Sequence, residues 1–193
     1  MFEQLQKNIQ EYVSLSEEEW ALCKNHFRPK RMLKRQFSLQ EGDVCRELTF
    51  VEKGALYSYS LDSKGDRNVL RFAFDGWWMA DLQSFFSNTP STLNIEILED
   101  SELLVLDRKN HEKLLKAIPA YERYHRIILQ NAYIAMKQRL ENALGRTAEE
   151  KYTRLLEHNP EFMHRVPQNL VASYLGMSPE TLSRVRRQMA QSS

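Results

Sequence analysis

Apolar residues change period along this chain, and the changes divide it into parts. Phe2, Leu5, Ile9 and Tyr12 recur at helical spacing, and Ser16 with Glu19 forms a capping-box pair that opens a second helix through Trp20 and Cys23. From about residue 30 to residue 107 the period shortens. Ala55, Tyr57, Tyr59 and Leu61 alternate with residues of the other face, and so do Val69 to Phe74. Glycines fall at 42, 54, 65 and 76, spaced 12, 11 and 11 apart. That spacing predicts regular turns between short strands, and hence an antiparallel barrel, roll or sandwich with Leu103 to Leu106 as its last strand.

Helical spacing then returns. Asp107 is placed to cap a helix through Leu114, Leu115 and Ile118, and Pro119 breaks it. A longer helix follows from about Ala120 to Leu144, stopped by Gly145. It carries two apolar seams, one of Leu129, Tyr133, Met136, Leu140 and Ala143, the other of Tyr121, Tyr124, Ile128, Ala132 and Ala135. One seam suffices to cover the β region. The second is suited to pairing with its own copy, the alternative being a helix buried between its own domains.

The last thirty residues have a different signature. From Gln168 the chain reads as two short helices joined by a tight turn, with Ala172 at the fifth position and Gly176 at the ninth. The fifth residue of a helix-turn-helix faces the second helix closely and must be small, and the ninth takes a backbone conformation that glycine reaches without steric cost. Ser178 and Pro179 mark the start of the second helix. Val171, Leu175, Met177, Leu182 and Val185 take the inward positions, and Glu180, Arg184 and Arg187 line the opposite face with Thr181 and Ser183 nearby. In a major groove such a face offers arginine to guanine and glutamate to a cytosine amino group. The plainer reading is a helical hairpin with a solvated outer face.

Composition sets limits. The 193 residues are 42% hydrophobic with a net charge of +1, and Cys23 and Cys45 are the only cysteines. Two cysteines are too few for a disulfide framework and suit a reducing cytoplasm. No apolar run approaches the roughly 20 residues that cross a bilayer, and the N-terminus lacks the pattern of a secretory signal. The near-neutral charge argues mildly against DNA binding, but Arg184, Arg186 and Arg187 cluster near the end. A basic run, Arg28, Lys30, Arg31, Lys34 and Arg35, reads as a solvated sheet edge, with an anion contact as the alternative. There is no histidine between His26 and His111, which removes cupin-type metal ligands from the strands. His125 and His158 are expected on helix surfaces and His164 near a helix junction. No phosphate-cradling loop, zinc-type cysteine spacing or nucleophile–base pair is present, so no enzymatic activity and no metal site is expected.

The order of parts resembles the Crp/Fnr superfamily of bacterial transcription regulators over nearly the whole chain. The local matches are EGD at 41–43, EKG at 52–54, IP at 118–119 and LGMSPETLSR at 175–184. The resemblance implies an α+β fold: N-terminal helices and an antiparallel β-roll of the cyclic-nucleotide-binding type, a long dimerisation helix and a C-terminal helix-turn-helix. Domain bounds are expected at 1–118, 119–146 and 147–193. It implies a cytoplasmic homodimer, paired through Ile128, Leu129, Tyr133, Met136 and Leu140, that meets double-stranded DNA at an inverted repeat, with RNA polymerase as a further partner and no membrane association. The recognition helix is expected at 178–190, with Ser178, Glu180, Thr181, Ser183, Arg184 and Arg187 at the DNA. Glu180 and Arg184 match family positions that read bases. Pro179 stands where relatives often carry arginine. Relatives also continue into a β-hairpin wing, and this chain stops at Ser193, so a wing is not expected and binding should be weaker and more salt-sensitive.

The sensor half departs from the family pattern. Nucleotide-binding members carry Gly-Glu on a short helix and Arg-Ser or Arg-Thr after the next loop. Here the stretches read Met79-Ala80-Asp81-Leu82 and Pro90-Ser91-Thr92-Leu93. Asp81 keeps a shorter carboxylate, while Ser91 in place of arginine leaves a cyclic phosphate without its charge-assisted partner. Cyclic AMP is therefore not the expected effector. Two cysteines cannot ligate an iron–sulfur cluster, and the histidine gap removes a haem ligand. The candidate pocket is Arg71, Trp77, Trp78, Asp81, Phe85, Ser91, Thr92, Asn94, Met136 and Lys137, either holding an aromatic or acidic effector of unknown identity or serving as core packing. No cofactor is required. The alternative function is a ligand-binding or protein-interaction module of the same fold without sequence-specific DNA binding.

Overall fold

The computed structural model describes residues 1–192 and, for all of these but Met163, Gln191 and Ser192, their side chains. It divides into two compact units. One comprises Met1–Ser60 and Arg71–Asn131; the other comprises Leu61–Leu70 and the chain from Ala132 onward.

In the first unit, helices α1 (Glu3–Gln10) and α2 (Glu17–His26) precede strands β1 (Arg28–Met32), β2 (Phe37–Leu39), β3 (Glu47–Leu61), β4 (Arg67–Ala73) and β5 (Trp78–Met79). Short helix α3 (Leu82–Ser87), strand β6 (Asn94–Asp107) and helices α4 (Arg108–Ala117) and α5 (Pro119–Gly145) follow. The sheet order is β1-β6-β3-β4, with β2 also paired to β6 and β5 to β3. The predicted antiparallel roll is present, although its glycines do not all act as expected.

Gly54 lies inside β3, where its φ of +112° and the register slips between Val51 and Leu56 bend the strand. A Cβ at Gly54 would stand 2.8 Å from Ser101 Cα, so the close approach of β3 to β6 requires glycine there. Two bent strands of 15 and 14 residues thus replace several of the short strands that the spacing suggested. The alternation around Tyr57 also fails to separate core from solvent, because Ala55, Leu56, Tyr57, Ser58 and Tyr59 are all buried. Covering both faces of a strand erases a period-two signal.

Glu52, in the EKG motif, pins α1. Its buried carboxylate accepts from the first-turn N–H groups of Gln4 (2.9 Å) and Leu5 (3.2 Å), in a helix with no side-chain cap of its own. Leu5 and Ile9 then enter the roll core with Cys23, Phe27 and Phe50. The capping box on α2 forms as predicted, with Ser16 Oγ accepting from Glu19 N–H and Glu19 from Ser16 N–H. Trp78 Nε1–H donates to Tyr124 Oη at 2.8 Å, and Tyr124 donates to Asn8 Oδ1. The basic run on β1 is at the surface, where Arg28 and Arg31 meet Glu47 and Glu102.

Asp107 caps α4 through Asn110 N–H, and Pro119 begins α5 rather than merely ending its predecessor. The first half of α5 buries Tyr121 and Tyr124. Ile128, expected on the dimer seam, is partly buried and packs against the roll core. His125, expected on a helix surface, is buried, its ring centroid 4.2 Å from that of His111 on α4. Its position four residues after Tyr121 places it on the same inward stripe. Both His111 nitrogens and Tyr121 Oη are buried without a hydrogen-bond partner. His158 is exposed, as expected, and His164 lies on a short helix between two longer ones.

In the second unit the rest of α5 leads to α6 (Ala148–His158), α7 (Phe162–Arg165), α8 (Gln168–Leu175) and α9 (Pro179–Ser192). A capping box of Thr147 and Glu150 opens α6. Tyr152, Leu155, Phe162, Val171, Leu182 and Val185 are buried in this unit. The expectation about a wing after α9 falls beyond Ser192 and lies outside the described residues.

Glu52→Ala should lower stability by about 2 kcal/mol, the typical scale of a lost charged helix cap, as read from a urea midpoint. Burial depresses both His111 and His125 to about 4 from the usual 6.5. The unfolded chain therefore takes up protons first as pH falls. Stability should be full above pH 6.5 and decline from there towards pH 4, and the double variant His111→Phe, His125→Leu should flatten that decline in urea titrations.

Candidate nucleic-acid interface and sensor pocket

Helix α8 ends where the chain must turn sharply. Gly176 adopts φ +66° and ψ 40°, with its N–H bonded to Ser173 C=O and that of Met177 to Ala172 C=O. Ser178 Oγ accepts from Thr181 N–H at 3.2 Å, which starts α9 with Pro179 at its first position. Ala172 is fully buried, as the close crossing requires, and Leu182 and Val185 are 1% exposed. Leu175 and Met177 are half-buried.

The polar face of α9 is open. Ser178, Glu180, Ser183, Arg184 and Arg187 are exposed and Thr181 is half-buried. All six residues expected at DNA thus lie on the first turns of one helix. Arg187 Nε donates to Ser183 C=O at 3.4 Å, which leaves the rest of its guanidinium available for other contacts. The Ser178 side chain holds the exposed Glu180 carboxyl below its ordinary pKa, so it is anionic and accepts hydrogen bonds. The face therefore offers two flexible cations and one acceptor.

The sensor residues present another arrangement. Asp81 caps α3 by accepting from Ser84 N–H at 3.1 Å, and its second oxygen accepts from Ser91 Oγ–H at 2.7 Å in a buried contact. Asp81 and Ser91, which the family resemblance sets where nucleotide binders are expected to carry an acid and an arginine, are bonded to each other. Ser91 also ties back to the EGD loop, its N–H donating to Asp43 C=O and its C=O accepting from Gly42 N–H. Asn94 Oδ1 accepts from Glu41 N–H in the same loop. Among the remaining candidates, Phe85 is buried and Trp78 packs tilted against Phe27 and edge-on to Phe50, so both serve the core. Arg71 is half-buried, Trp77 is 40% exposed with its ring edge-on to Phe74, and Thr92 is exposed. Met136 and Lys137 belong to the second unit and are exposed, Lys137 pairing with Glu141 at 3.3 Å.

A cavity of about 350 Å³ opens beside β5, lined by Ser38, Asp43, Cys45, Arg46, Glu47, Thr49, Met79 and Ala80 among others. None of the ten expected pocket residues lines it. Burial pushes the Cys45 thiol above its usual pKa, which keeps it protonated. Among the described residues, no group of three or more His, Cys, Asp and Glu side chains is placed to hold a metal ion, and no helix is long and apolar enough to cross a membrane.

Residues 29–117 match the cyclic nucleotide-binding domain family. Among solved structures the chain is similar to FixK2 from Bradyrhizobium japonicum, with 20% identity, 86% of this chain and 85% of that one covered, and a TM-score of 0.73. It is also similar to CLP of Xanthomonas campestris, described as a c-di-GMP-responsive global regulator, with 17% identity, 92% and 93% coverage and a TM-score of 0.72. A third is a transcriptional regulator of the Crp/Fnr family from Eubacterium rectale, with 17% identity, 92% and 85% coverage and a TM-score of 0.68. The chain has the Crp/Fnr fold. No curated protein matches its sequence. Within that fold, Asp81 is bonded to Ser91, and the α8–α9 pair has a small residue at Ala172, a left-handed turn at Gly176 and a Ser178 cap.

Sequence reasoning did not find Glu52, Arg139 or Ser173. Their hydrogen bonds run to backbone groups at least 35 positions away, so no local period reports these roles. Ala172→Leu should cost about 1–3 kcal/mol by overpacking the α8–α9 crossing, measurable as a lower melting temperature.

Proposed function

We propose that the protein is a homodimeric, DNA-binding transcription regulator whose α9 enters the major groove. The observation that carries this reading is the open polar face of Glu180, Arg184 and Arg187 on a capped helix directly after a left-handed turn. Arginine reads guanine O6/N7 and glutamate accepts from a cytosine amino group, while Ser178, Thr181 and Ser183 are placed for the backbone. The second half of α5 supports pairing with another copy. Tyr133, Met136, Leu140 and Leu144 are 65%, 64%, 60% and 81% exposed, an apolar stripe suited to a matching helix. A two-fold reader meets half-sites about one helical turn apart.

The roll acts as the sensor domain, and cyclic AMP is not its effector. The Asp81 carboxylate is engaged by Ser91 and Ser84, and no arginine stands at position 91 to meet a phosphate. A ligand of another class would have to bind two arrangements of the protein unequally to act as a switch. RNA polymerase is a further partner in this reading, and the protein works in the cytoplasm.

Selection from a random duplex pool at stated salt should recover an inverted repeat. Arg184→Ala should relax preference at one base pair of each half-site and cost about 1–3 kcal/mol. Cyclic AMP should change neither the affinity nor the melting temperature. Equal affinity of the parent for matched and scrambled sites would exclude the DNA-reading assignment.

A further inference from the structure

Strand β4 is an edge strand, and its outward backbone groups need partners other than a further strand. At Arg67 and Val69 they find them on the helices of the same compact unit. Val69 N–H donates to Ser173 Oγ at 2.9 Å, and Ser173 Oγ–H donates to Arg67 C=O at 2.6 Å. Ser173 therefore uses its hydroxyl as both donor and acceptor, as an adjacent strand would use an amide and a carbonyl. The third outward group, Val69 C=O, accepts from Arg139 at 2.7 Å.

The same Arg139 nitrogen reaches Tyr174 C=O at 3.3 Å, and the guanidinium lies 4.2 Å from the centre of the Tyr174 ring. Tyr174 is in the last turn of α8, whose terminal carbonyls lack helical partners and favour a cation. Two residues later the chain turns at Gly176 into α9. The direction in which α8 delivers the chain to that turn is thus held by one arginine and one serine bonded to the hairpin tip.

We propose that Arg139 and Ser173 are positioning residues for the recognition helix, and that the β3–β4 hairpin tip, Leu61–Leu70, is a structural part of the reading head. This rests on the DNA-reading function proposed above. The clamp acts on the angle of α9 and not on DNA itself, so its loss lowers discrimination between sequences without removing a phosphate contact.

The test compares Arg139→Met and Ser173→Ala with the parent, on the selected site and on scrambled duplex, across a salt series. Each variant should retain the parent's circular dichroism. The expected result is a loss of about tenfold in affinity for the selected site, unchanged affinity for scrambled DNA and an unchanged salt slope. Arg139→Lys should recover part of the loss, since lysine keeps the charge but not the planar stack. In Ser173→Ala the Val69 amide should exchange faster with deuterium. Folded variants that discriminate as the parent does would overturn the proposal. So would a salt slope reduced by about one in Arg139→Met, which would make Arg139 a phosphate contact. A parent with no preferred sequence would remove the DNA-reading assignment instead. In that case faster Val69 exchange in Ser173→Ala would still support the clamp, and unchanged exchange would overturn it.

Discussion

The pairing of β3 with β6, from Glu47 opposite Asp107 to Tyr59 opposite Asn94, is the constraint on which the rest depends. Strands β1 and β2 attach to β6, and β4 and β5 attach to β3, so an error in this ladder would misplace every other strand. The ladder can close only because Gly54 has no side chain where Ser101 comes against it. Beyond the bulge β3 continues to Leu61, the first residue of the hairpin tip. One strand thus reaches both compact units.

In the roll, two residues expected at a ligand site satisfy each other. By resemblance, Asp81 and Ser91 are expected near the places where nucleotide-binding members of the Crp/Fnr fold carry acid and arginine. With serine at position 91 the carboxylate no longer faces a fixed cation, and a neutral hydrogen bond from Ser91 satisfies it in a buried setting. A phosphate entering there would have to displace that bond and would meet a carboxylate without a compensating positive charge. The frame around it, Gly42 and Asp43 bonded to Ser91, is intact.

Several errors of sequence reading have one cause. Gly54 looked like a turn residue and is a bulge; His125 looked like a surface residue and is buried against His111. Each assignment depends on which neighbour covers a given face, and spacing along one chain does not carry that information. Glu52 illustrates the converse. It was visible as part of a short motif, but its work as the cap of α1 depends on a hydrogen bond across 48 positions.

What the sequence by itself determined is local. The Ser16–Glu19 capping box, the Asp107 cap, the Gly145 end of α5, and the helix-turn-helix from Gln168 each rest on residues within a few positions of one another. Their backbone conformations and hydrogen bonds close inside a single turn or hairpin, so the residue types suffice. Only the tertiary structure decided the bend at Gly54, the Asp81–Ser91 bond, the buried histidine pair and the grip of Arg139 and Ser173 on the hairpin tip. Those depend on unsatisfied donors and acceptors, or on bare van der Waals space, brought together from distant parts of the chain.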